Sequence, residues 1–420
     1  MFLQSNLTMR ILYRAFIRLY LLAVVVMSVF SRKARAWHHG RHGLIRSMEQ
    51  AGKDNRPVAW FHCASLGEFE QGRPIMEAFR TQHPGHAILL TFFSPSGYEI
   101  RKGYEGADHV FYLPADTMTN ARKFLDIWNP DIAVFIKYEY WFNYLSQLKN
   151  RGIPVVVASA VFRRGQHFFQ PYGWWFRKHL GYVSHFYVQN EQAEKLLRGI
   201  GLQQVSISGD TRFDRVVTIA EKSPDIPDIK AFTKKKPALV AGSTWEADEK
   251  ILAAAKRDFP QLNMIIAPHQ ITEKGIQRLL RVFDGHVVRY SEATGDLPDG
   301  KDVLVIDGIG LLSSLYRYGR IAYIGGGFGI GIHNILEAAT FGLPIIFGPR
   351  YQKFNEANDL IRLGGAFPVS SAHELIDRIN ELMQNQTSLL HASGISKEYV
   401  INNTGATTII TNGITRLITK

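Results

Sequence analysis

The sequence predicts an α/β protein: two doubly wound, Rossmann-like parallel-sheet domains behind an N-terminal membrane-anchor helix. Three observations carry that expectation. A chain of 420 residues is too long for one ordinary domain. Short apolar runs alternate with amphipathic stretches on both sides of a Pro-, Asp- and Lys-rich break, which is the pattern of parallel sheets with helical crossovers. Near the N-terminus an uncharged apolar run is followed directly by a basic cluster.

The N-terminal run, Leu19 to Phe30, reads LYLLAVVVMSVF. Extended back to Ile11 it is interrupted by Arg14 and Arg18, which share one helical face and can snorkel to headgroups. Arg32, Lys33, Arg35 and Arg41 follow, so the positive-inside rule keeps the rest of the chain cytoplasmic. A cleaved signal peptide does not fit: no small-x-small site follows, and the basic cluster is on the wrong side of the apolar run. Residues 1–35 are therefore expected to be an anchor, spanning or monotopic, with a basic flank; the alternative is the buried apolar first helix of a soluble domain. Because the α/β patterns begin after Pro57, Met1–Phe30 is expected to be dispensable for folding.

Composition narrows the classes of function. Lys plus Arg is 49 and Asp plus Glu 37, a net charge of +12 that favours anionic partners. A nucleic-acid partner is not expected, since no interleaved basic and aromatic RNA motif is present. The single cysteine, Cys63, excludes a disulfide scaffold and any CxxC metal site.

The elements follow in order. Strands are expected at Val58–Ala64, Ala87–Phe93, His109–Ala115, Asp131–Lys137, Val155–Val161 and His185–Asn190. Helices are expected near 69–82, 97–102 and 120–128. The break near 218–237 places a boundary, so residues 36–218 form one domain and 219–420 the other. Beyond it, Ala238–Ser243, LNMIIAP, DVLVID, IAYIGG and LPIIFGP read as strands. Two such domains are expected to face a central cleft at their strand carboxyl ends.

Six motifs sit where strands end. ASLGEFEQG follows the first strand and places Ser65, Gly67 and Glu68 at a helix mouth. A carboxylate there suits a general base, or simply complements the helix dipole. FIKYEYWFN ends the fourth strand with Lys137 and Glu139, either ligand-facing or paired with each other. SGDTRFDRV carries Arg212 and Arg215, able to meet phosphate or carboxylate, or to pair with Asp210 and Asp214. AGSTWEADE offers Gly242, Ser243 and Thr244 as a phosphate cradle, without P-loop spacing. APHQ presents His269. IGGGFGIGIHNILEAATFGLP combines a glycine-rich turn, including Gly327, with His333, Asn334 and Glu337.

Taken together and in this order, HCASLGEFE, KYEYWFN, GDTRFDRV, AGSTWEADE, APHQ and IHNILEAATFGLP resemble the lipid A Kdo (3-deoxy-D-manno-octulosonic acid) transferases. The resemblance implies a GT-B glycosyltransferase at the cytoplasmic face of the cell inner membrane. It implies Kdo transfer from CMP-Kdo to the 6′-hydroxyl of a bisphosphorylated lipid A precursor, with inversion, at an anionic membrane surface, without cofactor or metal. It makes Glu68 the general base. It places the donor's cytidylate on His333, Asn334 and Glu337 and carries over the turn Gly242, Ser243 and Thr244; from the motifs, His269 and Gly327 are expected to join the donor site, and Ser65, Gly67, Lys137, Glu139 and Arg212 the acceptor site. Two departures stand out: APHQITEK replaces the family's APRHxER, and Phe142 follows Trp141 where the family often has Pro. The alternatives are another inner-membrane GT-B enzyme using a uridine nucleotide sugar, and a non-catalytic membrane-docked binding protein.

Overall fold

The computed structural model describes residues 2–52, 55–293 and 300–419, with side chains from Thr8 onward in the first helix. The chain divides into two compact units, one running to Arg215 and resuming at Thr404, the other Val216–Asn403.

The first unit holds a parallel sheet of β1 (Val58–Cys63), β2 (Ala87–Phe92), β3 (His109–Tyr112), β4 (Ile132–Ile136), β5 (Val155–Ala160), β6 (His185–Val188) and β7 (Val205–Ile207). Its order is β3-β2-β1-β4-β5-β6-β7. Strands β1, β2, β4 and β5 are buried along their whole length, as a sheet covered on both faces requires. The winding reverses between β1 and β4, so their carboxyl ends flank the crevice where such sheets bind ligands.

The second unit repeats the plan with β8 (Ala238–Thr244), β9 (Asn263–Pro268), β10 (Val287–Arg289), β11 (Val303–Val305), β12 (Ile321–Ile324), β13 (Ile345–Phe347) and β14 (Ala366–Pro368). The order is β10-β11-β9-β8-β12-β13-β14, and the reversal lies between β8 and β12. Sequence reasoning missed β7, β10 and β14. Each is three residues long and lies at a sheet edge, too short to show any period.

Three helices precede the first sheet: α1 (Phe2–Phe30), α2 (Arg32–His39) and α3 (Leu44–Ala51). They are integral to the first unit, against the expectation that Met1–Phe30 is dispensable. Leu44 and Met48 join the core of Trp60, Phe124 and Tyr144. The Arg41 guanidinium lies 3.8 Å over the Trp37 ring and donates to the carbonyls of Leu113, Phe93 and Trp37. Burial lowers its pKa to about 9, so it stays cationic at neutral pH, held by carbonyl dipoles and ring faces. On α1, Ile17 is buried and the Tyr13 hydroxyl donates to Asp116 at 2.5 Å.

Asp116 also accepts from the backbone N–H groups of Asn143 and Tyr144. Burial raises its pKa to about 6, and hydrogen bonds from Tyr13, Asn143 and Tyr144 hold it from rising further. The folded state therefore retains a proton that the unfolded chain releases between about pH 4 and 6. The resulting stabilisation is present at the acid end and is lost as pH rises through 6. Relative to Asp116→Asn, the wild-type unfolding free energy is expected to fall by about 2 kcal/mol from pH 4 to 7, at 1.36 kcal/mol per unit. Urea unfolding of both proteins across that range measures the difference, and parallel curves would refute it.

The domain assignment of residues 219–420 needs correction at both ends. The boundary falls within the helix Thr211–Lys222, and the last helix, Ala406–Ile418, belongs to the first unit. Asp214 accepts from the N–H groups of Gly405 and Thr407, which caps that helix. Ile410 and Ile414 then enter the core beside Phe61 and Phe79. At Gly413 a β-carbon would lie 1.6 Å from the Tyr187 hydroxyl, so the packing demands glycine. An amphipathic helix does not announce which core it will cover, so the sequence placed it with its chain neighbours.

Candidate active site

The helix α4 (Leu66–Gln82) starts immediately after β1 because Ser65 adopts extended backbone and acts as its N-cap. The S-x-x-E spacing of Ser65 and Glu68 is that of a capping box. The side chains behave otherwise. The Ser65 hydroxyl makes no cap bond to the helix backbone and donates to the Glu68 carboxylate. Glu68 is thus half-buried and oriented by one hydroxyl, at the carboxyl end of β1. Gly67 beside it is exposed. Further along α4, a β-carbon on Gly72 would sit 3.0 Å from Cys63 Sγ, so the glycine brings the helix close to the sheet. Burial first, and then the nearby carboxylates of Glu68, Glu139 and Glu70, push the Cys63 thiol well above its usual range. That leaves it an inert packing group.

Glu139 is not paired with Lys137. Its carboxylate accepts from the Trp141 indole N–H at 2.6 Å and lies 3.3 Å from His62 Nε2. His62 is fully buried on β1, and its Nδ1 meets the Thr91 hydroxyl of β2 at 2.8 Å. Three strand ends thereby contribute to holding one carboxylate. Sequence reasoning missed His62 and Trp141 as its partners. The signal was available in register: His62 pairs with Phe135 across β1 and β4, four residues before Glu139. Lys137 has φ 75°, in the left-handed region that a non-glycine residue adopts at a cost of order 1–3 kcal/mol. Its ammonium lies 5.1 Å from the Tyr138 ring. Backbone of this kind at a strand end is characteristic of a functional loop.

Arg212 forms the pair that the sequence offered as its alternative role. Its guanidinium binds Asp210 at 2.8 and 2.9 Å, and Asp210 also accepts from Gln71 on α4. The Thr211 hydroxyl donates to the Gln71 carbonyl at 2.6 Å, so the β7 loop is tied to the middle of α4. Arg215 is shared differently: it approaches Glu70, which Arg101 also holds at 2.9 Å.

In the second unit the carboxyl ends of β8, β9 and β12 converge. The rings of Trp245, His269 and His333 form a continuous stack, with centroids 4.7 and 4.2 Å apart. The Trp245 indole N–H donates to His333 Nε2 at 3.1 Å. Burial, with a smaller contribution from His269, lowers the His333 pKa to about 4. His333 is therefore neutral at physiological pH, and because Nε2 accepts, Nδ1 carries the hydrogen and remains a donor. Trp245 was not among the expected site residues. It sits one position past the strand, where periodicity says nothing.

The glycine-rich turn is pinned by Asp248, also missed. Its buried carboxylate accepts from the N–H groups of Trp245 and Gly326 at 2.9 Å and from the Tyr323 hydroxyl at 2.8 Å. The amides expected to cradle a phosphate beside Gly242–Thr244 are thus partly engaged inside the protein. Gly242 has a packing reason for its size, since a β-carbon would lie 2.0 Å from the Tyr316 hydroxyl. Ser243 has φ 55° at a register shift between β8 and β9, and the Thr244 carbonyl accepts from His269 N–H. Gly327 touches the loop after β13: its β-carbon would meet Gly348 backbone at 2.6 Å. Asn334 donates to Glu337 at 3.0 Å and accepts from Leu336 N–H. The helix that follows is short, Leu336–Thr340, so this pair rather than a long helix dipole organises the turn. The structure therefore brings His269 and His333 together, ties Thr244 to His269, and pairs Asn334 with Glu337. Among the described residues, no group of three His, Cys, Asp or Glu side chains is placed to hold a metal ion.

Two doubly wound parallel sheets with their loops at the strand carboxyl ends put the chain in the GT-B class of glycosyltransferase folds. Its architecture is similar to that of UDP-GlcNAc 2-epimerase from Neisseria meningitidis, with TM-score 0.60 and 15% identity, covering 86% of this chain and 100% of that one. It is also similar to MurG of Acinetobacter baumannii, with TM-score 0.54 and 13% identity, covering 86% and 99%. These likenesses speak to fold alone. Residues 37–215 match the family described as 3-deoxy-D-manno-octulosonic-acid transferase, or kdotransferase. The 3-deoxy-D-manno-octulosonic acid transferase of Aquifex aeolicus is 27% identical over 79% of this chain and 87% of its own length. That of Haemophilus influenzae is 26% identical over 83% and 84%. The chain is thus similar to Kdo transferases over 79–83% of its length, and it is an enzyme of the glycosyltransferase class.

Proposed function

We propose that this enzyme transfers Kdo from CMP-Kdo to the 6′-hydroxyl of a bisphosphorylated lipid A precursor, with inversion, in lipopolysaccharide biosynthesis at the cytoplasmic face of the inner membrane. The observation that carries the reading is Glu68, oriented by Ser65 at the end of β1, within the segment that matches the Kdo transferase family. Glu68 takes the proton of the acceptor hydroxyl. The hydroxyl oxygen bonds to the anomeric carbon of Kdo from the face opposite the phosphate. The bond from that carbon to the phosphate oxygen breaks, and its electron pair leaves with cytidine monophosphate. Glu139, held by His62 and Trp141, and Lys137 beside it are suited to orienting the polar acceptor head.

The second unit suits the donor. Neutral His333 offers Nδ1–H to an anionic oxygen, and the Asn334–Glu337 pair offers an acceptor and a donor to ribose hydroxyls. Asn334→Ala or Glu337→Ala is expected to raise the donor KM about tenfold with the acceptor KM unchanged, the effect of roughly one lost hydrogen bond. If only the acceptor KM responds, the assignment of the two units is reversed. The proposal as a whole is tested by mass spectrometry of products formed by the purified enzyme from CMP-Kdo and a tetra-acylated acceptor, with uridine nucleotide sugars as competing donors. A product carrying a hexosyl unit instead of Kdo would overturn it.

A further inference from the structure

The helix α1 has the composition of a membrane span: Thr8–Phe30 is 23 residues of mostly apolar sequence, and most of its surface is exposed. Its two long faces nevertheless differ. Tyr13, Ile17 and Tyr20, spaced four and three apart, point into the first unit. Tyr13 bonds to buried Asp116 and packs edge-on against Phe142, with ring centroids 5.0 Å apart. Ile17 is 5% exposed. Tyr20 meets Trp37 edge-on at 6.0 Å. Further along, Leu21 and Val25 line a cavity with Trp37 and Leu44, and the Arg35 guanidinium binds the carbonyls of Ser28 and Val29 at the end of the helix. The helix is therefore seated on the domain from Tyr13 to Val25, and Arg35 caps its end.

The opposite face is apolar without interruption. Leu12, Phe16, Leu19, Leu22, Val26 and Phe30 are 54–79% exposed. Arg14 and Arg18, also exposed, run along one border between the two faces, and exposed Arg32 and Lys33 open the helix that follows. Length decides what this face can do. Thirteen of the run's 23 residues, Tyr13–Val25, lie along the domain, about 20 Å of helix at 1.5 Å per residue. A bilayer's hydrocarbon core is about 30 Å thick. Spanning would require pulling Tyr13 from Asp116 and exposing the aromatic rings beneath.

We propose that α1 does not cross the membrane but lies in the plane of one leaflet, its outer apolar face among the acyl chains and its arginine border at anionic headgroups, with the first unit held rigidly against that leaflet. This rests on the membrane association included in the proposed function. It adds that the enzyme is monotopic, and that the acceptor side of the first unit keeps a fixed orientation to the lipid surface. An interfacial helix of this type buries its apolar face about 5–10 Å into the headgroup and acyl boundary.

The test uses the full-length protein on sealed phosphatidylethanolamine–phosphatidylglycerol vesicles. Leu12→Cys, Leu19→Cys and Val26→Cys are each labelled with an environment-sensitive NBD probe; Cys63 is buried, and the wild type is the labelling blank. Nitroxide lipids quench from a shallow and a deep acyl position. An in-plane helix gives all three labels the same shallow-over-deep quenching ratio within about twofold, as burial to a single depth requires. A ratio that changes steadily along the helix and crosses the bilayer centre would show a span and overturn the proposal. Vesicle-bound protein whose labels no nitroxide lipid quenches would overturn it too, since the face is then covered by a second copy or another surface. Failure to sediment with vesicles at all would instead remove the membrane association on which the proposal rests.

Discussion

Glu68→Gln is expected to lower kcat by about 10²–10⁴-fold, the usual loss on removing a general base. Cytidine monophosphate affinity should stay unchanged, because the groups suited to the donor lie in the second unit. The substitution separates catalysis from capping. Glutamine keeps the shape of the side chain and can accept the Ser65 hydroxyl. What it loses structurally is one negative charge in the first turn of α4, about 0.3–1 kcal/mol of interaction with the helix dipole. A structural role would therefore lower the melting temperature by a few degrees and leave turnover nearly intact. A catalytic role leaves the fold in place and removes turnover. Activity within a few-fold of wild type would take Glu68 out of the mechanism.

Gly327→Ala is expected to cost about 1–3 kcal/mol of stability, the range for forced overpacking. It should also raise the donor KM at least tenfold while the acceptor KM holds. The new methyl would meet the backbone of Gly348 at 2.6 Å, and neither strand end can yield cheaply because both leave the middle of a sheet. Separating them also breaks the bond from Arg350 N–H to the Gly327 carbonyl. Gly329→Ala is the control. Its nearest neighbour would be the Gly326 carbonyl at 3.4 Å, ordinary contact, so stability and KM should barely change. Urea unfolding and donor kinetics of the two variants make the comparison. Equal behaviour would mean that the glycine run is tolerated as a flexible segment and not as a packed crossing.

The long buried strands were legible because β1, β2, β4, β8 and β9 are five to seven residues of apolar, β-branched or aromatic sequence, each followed by turn residues. The site motifs were legible for the same reason: parallel sheets gather ligand-binding residues at strand carboxyl ends, so locating a strand end locates a candidate. Ser65, Glu68, Glu139, His269 and His333 became candidates that way. The resemblance to Kdo transferases rested on their order along the chain. What periodicity could not supply was partnership. Glu139 reads as the natural mate of Lys137, two residues away, yet it is held by Trp141 and by His62 from another strand. Arg212 reads as a ligand group, yet Asp210 holds it.

The sequence by itself determined the class of fold, the catalytic candidate and the apolar character of the N-terminal helix, because each is written in residues adjacent in the chain. Only the tertiary structure decided which carboxylate faces which donor, that Asp248 engages the Gly326 amide of the glycine turn, and that the last helix returns to the first unit. It also decided that α1 is a seated helix and not a free tether. The two faces of α1 look equally apolar in sequence, and their difference appears only when Asp116 and the rings around it arrive from elements a hundred residues away to bury one of them. Burial, not composition, distinguishes a core face from a membrane face, and burial is a property of the assembled chain.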